Sequence, residues 1–448
     1  MNGITLDTIR DCLEGYIPAV LATCDEAGRP NVSLVSQVHY VDPERVAVSH
    51  QFFNKTRHNI QATGRASIAL TDPLTAAEYR LELDHEETLT EGPLFETMKA
   101  KLAGIASHTG MEGVFRLLGS DVFRVRSILR LPGPVTEKPL PFVNLLSAAR
   151  RTCAELGRAR DLGDLVDRTL DALARGFGLE HAMVLLLDER GERLYTVASR
   201  GYPAPGIGSE VMLGEGIIGV AARERVPIRI GHMTGDYGYG AAIRDEARSA
   251  GMNWAEMTAI PFPGLAKPES QIALPVVHRD RVIGVLFAES PRPMRFWYDD
   301  EDALALVADG LGALVPQVGG DATVAEAGRR GSASAQPVVV RHYAADDSIF
   351  INHDYLIKGV AGAIFWKLVR EHAEEGRVEF TNRELRLDPA LRLPEHAENL
   401  EARLVLLQRR LRERDSAITI EKTGRGRFRL CLPAAVQLEE MHAVAEAG

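Results

Sequence analysis

Cysteine is scarce in this chain. Its four residues, Cys12, Cys24, Cys153 and Cys431, lie too far apart to form a C-x-x-C pair, which argues against a structural zinc site and a disulfide framework and points to a reducing compartment. No apolar run approaches the ~18 residues needed to cross a bilayer, and no basic stretch followed by an apolar one opens the chain. A cytoplasmic protein with no membrane partner and no metal is therefore expected. A uniformly basic surface is missing too. The 52 Lys and Arg against 62 Asp and Glu leave a formal charge of −10, so any face for nucleic acid must be local.

What the chain does have is length. Its 448 residues, 45% of them hydrophobic, suggest roughly three domains with buried cores. Two seams support that number. The first is the proline-rich stretch Leu131-Pro132-Gly133-Pro134 to Pro139-Leu140-Pro141, where proline blocks both helix and ladder. The second, residues 317–336, is rich in Gly, Ala and Ser without apolar periodicity and reads as a flexible linker. The resulting domains span 1–138, 145–316 and 337–433, with a tail over 434–448. The expected fold class is multi-domain α+β.

In the first segment, short strands are expected at 19–23, 31–35, 46–50, 66–70 and 122–126 and a helix at 94–106, giving a small antiparallel barrel. Its chemical interest lies in His50-Gln51-Phe52-Phe53-Asn54-Lys55-Thr56-Arg57-His58-Asn59-Ile60. Cations, a hydroxyl and amides sit there between a strand end and a helix start, where free backbone N–H groups favour an anion such as phosphate. The stretch resembles the strand-to-helix turn of the pyridoxamine 5′-phosphate oxidase-like FMN-binding split barrels. That resemblance implies that Lys55, Thr56 and Arg57 hold the FMN phosphate. Ser33, Ser36, Ser49, Gln51, Phe53 and Asn59 would complete the flavin contacts. A related flavin-type cofactor, or an empty barrel whose Lys55 and Arg57 form a solvated cap, is the other reading. No basic substrate grip near the end of the segment supports transfer of oxidase activity.

The second segment shows apolar residues at helical spacing over 162–177, a buried strand from Ala182, and the runs G-E-G-I-I-G-V-A-A-R, I-A-L-P-V-V and V-I-G-V-L-F-A-E-S. This order resembles a GAF domain, an α/β sandwich that implies regulation by a small-molecule ligand. His232, Tyr237, Tyr239 and Trp254, in or beside a Gly-rich insert, are the candidate ligand contacts, by ligation or stacking. A lid with ordinary aromatic packing is the alternative. No N-K-F-D-E-type cyclic-nucleotide signature is present.

The third segment has two short strands, a helix over 360–373, an S/T-x-x-E capping box at Thr381-Asn382-Arg383-Glu384 and a longer helix from about 395 to 414. On that last helix Leu400, Leu404, Leu407 and Leu411 share one face. The opposite side carries Asn399, Arg409, Arg410 and Arg412, with Val405 and Leu406 between them. Between Arg403 and Arg429 there are nine Lys/Arg against three Asp/Glu, a local excess of +6. The layout resembles the OmpR/PhoB-type winged helix-turn-helix. The resemblance implies that Arg409, Arg410 and Arg412 meet double-stranded DNA in the major groove and that Arg425 and Arg427 meet it from the wing.

Together these readings point to a one-component transcriptional regulator, a homodimer rather than an enzyme, sensing flavin, redox state or a small ligand. The alternatives are an FMN-dependent oxidoreductase with regulatory GAF and winged-helix parts, and a signalling adaptor that binds protein partners.

Overall fold

A computed structural model describes residues 4–35, 38–50, 54–108, 117–137, 143–188, 191–231, 260–318, 338–344, 346–352, 354–391, 399–414, 416–424, 426–432 and 436–441. The first unit opens with a 3₁₀ helix, Asp7–Glu14, followed by β1 (Ala19–Cys24), β2 (Pro30–Val35), β3 (His39–Asp42) and β4 (Arg45–His50). Then come α1 (Asn54–Thr63), β5 (Arg65–Thr71), β6 (Glu78–Leu89), α2 (Pro93–His108) and β7 (Gly119–Arg130). The seven strands run antiparallel in the order β2-β1-β5-β6-β7-β4-β3. Alternation explains the strands: β1 and β5 bury every second residue, which brings Leu21, Ile68 and Leu70 into a core with Leu81, Leu83 and Phe123. The β1–β2 turn closes because the Asp25 carboxylate accepts the backbone N–H of Ala27 and Arg29 and Gly28 takes a φ of 78°. Strands β3 and β6 were not among those expected.

The second unit contains α3 (Leu145–Leu156), α4 (Leu162–Phe177), β8 (His181–Leu187), β9 (Arg193–Arg200), β10 (Glu210–Met212), α5 (Gly216–Glu224) and β11 (Ile228–Ile230). It ends with β12 (Ser270–His278), β13 (Arg281–Ser290) and α6 (Tyr298–Val318), and its sheet order is β10-β9-β8-β13-β12-β11. Helices α4 and α6 cover one face through Leu165, Leu173, Leu304 and Leu311, and α3 packs on those two helices. The other face packs Met183, Leu185 and Phe287 against Val220 of α5. Burial on both sides is why the central strands read as continuous apolar runs. Asp161 caps α4 by accepting Asp164 N–H, and Gly178 ends it in the left-handed region. Gly312 lets α6 lie on β12, since a Cβ there would stand 2.0 Å from the Val277 carbonyl oxygen.

The third unit comprises β14 (Val338–Tyr343), β15 (Ser348–Ile351), β16 (Asp354–Ile357), α7 (Gly359–Glu375), β17 (Glu379–Thr381) and α8 (Asn382–Leu387). After these come α9 (Asn399–Glu413), β18 (Thr419–Gly424), β19 (Arg427–Cys431) and β20 (Val436–Met441). Both halves of the capping box at Thr381 and Glu384 form. One sheet is β16-β15-β14-β20 and a second is β17-β19-β18. Residues 436–441, expected to lie in a tail, instead pair in parallel with β14 from Val338 to Tyr343. The short V-Q-L run pairs because β14 otherwise presents a free edge.

The first two units are joined by a buried charge. The Arg229 side chain, 3% exposed, bonds to Glu14 at 2.7 Å and Glu301 at 2.9 Å and lies 4.7 Å from the Tyr298 ring centroid. Tyr16 adds a hydrogen bond to the Phe296 carbonyl. Arg229→Met would strand two carboxylates, so we expect a loss of about 3–5 kcal/mol, read from urea unfolding. Adding Glu14→Gln and Glu301→Gln to that variant should recover most of it.

Candidate functional site

The expected phosphate cradle begins where β4 ends and α1 starts. Helical spacing turns Thr56, Asn59 and Ile60 inward and leaves Lys55 and His58 exposed. The Thr56 hydroxyl is buried. It accepts a hydrogen bond from Asn31 Nδ2 at 2.8 Å and shares another with Ser33 Oγ at 2.7 Å, while Asn59 Nδ2 donates to Thr23 Oγ1 at 3.2 Å. Ser33, Thr56 and Asn59 are thus brought together, and they also fasten α1 to β1 and β2. Arg57 is half-buried, and its Nε has no hydrogen-bond partner among the described residues. Ser49 lies half-buried on β4, opposite Ser120. Ser36, Gln51 and Phe53 lie outside the described residues.

A second polar group in the barrel was not anticipated. Asp121 on β7 accepts the Thr88 hydroxyl at 2.6 Å and faces His50 Nδ1 at 3.6 Å and His85 Nε2 at 3.7 Å. Burial opposes ionisation of Asp121, but the facing imidazoles and the Thr88 hydroxyl outweigh it and hold the carboxyl well below the usual carboxylate range. Gly119 makes room for His50, since a Cβ there would lie 2.3 Å from the ring. Three strands supply these residues, so no local sequence pattern announces them.

In the second unit His232, Tyr237, Tyr239 and Trp254 lie outside the described residues. A buried carboxylate, Glu289 at the end of β13, was also missed. It accepts Gln271 Nε2 at 3.0 Å and Leu265 N–H at 2.7 Å. Burial outweighs these bonds and raises its pKa. The signal that could have found it is the charge at the end of an otherwise apolar strand.

On α9 the expected exposed reading face is corrected. Val405 is 6% exposed and Leu406 2%. Arg409 donates to the Gly163 carbonyl at 3.1 Å and to Asp167 at 2.9 Å, both on α4. Arg410 is buried and donates to the Leu356 carbonyl and to Glu413, and Arg403 stacks 4.0 Å over the Tyr195 ring. The physical reason is that Ala402, Val405 and Leu406 add a second apolar stripe on the side away from the leucine face, and a helix with two apolar stripes is covered on both sides. Arg412 and Arg427 are exposed. The side chain of Asn399, at the start of α9, and all of Arg425 lie outside the described residues.

The architecture is that of a mixed α/β multi-domain protein with a split-barrel unit and a GAF unit. Residues 5–126 match the family model described as pyridoxamine 5′-phosphate oxidase, and residues 159–315 match that of the GAF domain. No curated protein matches the chain. Similar solved structures include the GAF domain of an Acinetobacter phosphoenolpyruvate-protein phosphotransferase, 23% identical, covering 38% of this chain and 90% of that one with a TM-score of 0.30. An FMN-binding protein from Syntrophomonas wolfei is 18% identical and covers 28% and 88%, with a TM-score of 0.24. Free methionine-R-sulfoxide reductase from Neisseria meningitidis is 20% identical and covers 38% and 86%, with a TM-score of 0.29. Among the described residues no helix is long and apolar enough to cross a membrane.

The match to the barrel family suggests a flavin, and the described residues at the start of α1 offer groups that suit a phosphate. Arg57 holds a buried Nε with no hydrogen-bond partner among the described residues, and Lys55 stands in the first turn of α1, where free N–H groups add to the attraction.

Removing the Asp121 charge tests the unanticipated group. We expect Asp121→Asn to lose about 2 kcal/mol at pH 7, the size of a hydrogen bond to a charged acceptor. Because the folded pKa is depressed, the wild-type advantage is present above the ordinary carboxylate value and is lost as pH falls towards the folded one. Urea midpoints should therefore converge below about pH 4.

Proposed function

We propose that this chain is a one-component transcriptional regulator. The barrel binds FMN, the GAF unit senses a small ligand, and the C-terminal unit binds double-stranded DNA as a homodimer. The observation that carries the DNA part is the element order of that unit: a small sheet, α7, α8 behind a capping box, α9, and the β18–β19 hairpin. It is the order expected of an OmpR/PhoB-type winged helix, with α9 as the reading helix and the hairpin as the wing. The exposed Arg412 and Arg427 supply cations at the two places such a fold meets phosphate.

FMN, when bound, supplies redox chemistry. The chain's own part is to hold the phosphate through Arg57, Lys55 and the start of α1 and to position Thr56 through Asn31 and Ser33. Arg57→Ala is expected to weaken FMN binding by roughly tenfold to a hundredfold in a fluorescence titration, the loss of one charge-assisted hydrogen bond. An unchanged affinity removes Arg57 from the cradle.

DNA binding is tested by selection from a randomised duplex pool at low ionic strength. We expect Arg412→Ala with Arg427→Ala to lower affinity across all duplexes and to reduce the salt slope by about 2. Absence of any enriched duplex, in the wild-type chain and in Asp167→Arg alike, overturns the regulator reading.

A further inference from the structure

We infer that the GAF unit is a competitor for the DNA-reading face of α9, so that the structure is a closed state in which DNA and α4 are mutually exclusive partners. The inference rests on the DNA-binding reading and deepens it.

The contact is built from the residues that a reading helix would use. Arg409, expected on the groove side, has its guanidinium bound to Asp167 and to the Gly163 carbonyl. Lys422 on β18 is held 3.2 Å from Asp161, at the N-cap of the same α4. Two carboxylates of α4 thus stand where phosphates would stand, one for the helix and one for the wing. Between them the apolar part of the face is desolvated. A Cβ on Gly163 would lie 3.9 Å from Val405 Cγ2, and one on Gly208 would lie 3.7 Å from Leu406 Cδ1. Arg403 stacks on Tyr195 of β9, and Lys358 pairs with Glu210 of β10 at 3.5 Å.

A guanidinium bonded to Asp167 cannot also grip a base edge, and Val405 cannot reach a groove while it is buried facing Gly163. Opening must therefore separate α9 from α4 and β9. One segment beside this contact is the 206–209 loop, which is tied to β9 through Gly208 N–H to the Thr196 carbonyl and Thr196 N–H to the Ser209 carbonyl. Any ligand that moves β9 or that loop changes the surface on which Leu406 sits, and by linkage DNA favours the form with α9 released.

Two full-length variants test this. Asp167 is 65% exposed, so Asp167→Arg should fold normally while repelling Arg409. Gly163→Cys with Val405→Cys probes the contact directly, because a Cβ at 163 would lie 3.9 Å from the Val405 Cγ2 position that a second sulfur can take. On a randomised duplex pool, Asp167→Arg should be retained at least tenfold more strongly than wild type. The oxidised double-cysteine chain should lose retention and regain it on reduction. Failure of the 163–405 cross-link to form, read by mass spectrometry of peptides, overturns the closed state. Equal retention of wild type and Asp167→Arg overturns the competition while leaving the DNA reading intact. A cross-link that forms in a protein retaining no duplex in any variant overturns the DNA reading and, with it, the regulatory role of the contact.

Discussion

A guanidinium that is 3% exposed has to be matched by carboxylates, and Arg229 is matched from two different domains. Glu14 closes the first helix of the barrel, Glu301 opens the last helix of the GAF unit, and Arg229 itself sits on the edge strand β11. The geometry of all three elements is therefore one problem with one solution. Around it, Arg10 reaches Asp299 and Asp302 at 2.9 Å each, and Gly104 of α2 lets the barrel come close to Ile228, the residue just before Arg229. A change in the barrel that moves the first helix must either carry β11 and α6 with it or leave a charge unpaired in a dry place. That couples the positions of the barrel and GAF units.

The GAF and C-terminal units are joined by different physics. Their apolar residues form one continuous core, running from Leu165 and Leu173 of α4 to Leu404, Val405 and Leu407 of α9 and on to Phe365 of α7. Rim charges then set the register: Arg409 with Asp167 and Lys422 with Asp161. Partly exposed pairs of this kind contribute only modestly to stability. They fix which face docks, while the apolar surface supplies the adhesion. In an interface arranged in that way the groups that set the register are cations of the third unit held by carboxylates at the rim.

How much of this could be read in the sequence depended on whether the cause was local. Strands β1 and β5 announce themselves by alternation, β8 by its unbroken apolar run, and α8 by a capping box within four residues. Strand β6, E-Y-R-L-E-L-D-H-E-E-T-L, went unread because its outward positions are charged and only Leu81 and Leu83 reach the core. The Asp121 group is assembled from β4, β6 and β7, and the Arg229 partners lie 215 and 72 positions away in the chain. No window on the sequence spans such distances. Strand β20 was invisible for a related reason: it pairs with β14 across almost the whole third unit.

Helix α9 shows where local pattern stops: its basic and apolar faces are legible in the sequence, and the domain that covers them is not. Arginines opposite a leucine stripe suggest a face open to DNA as long as the helix stands alone. Its long aliphatic stems, with Val405 and Leu406, also suit burial against a second domain. The overall charge of −10 then takes on a structural meaning. The acidic excess is not merely a solubilising background to a basic segment, because Asp161 and Asp167 on α4 are among the counter-ions of that segment. A chain that carries its own substitute for phosphate beside its basic face can keep that face neutralised until something with a higher density of negative charge displaces it.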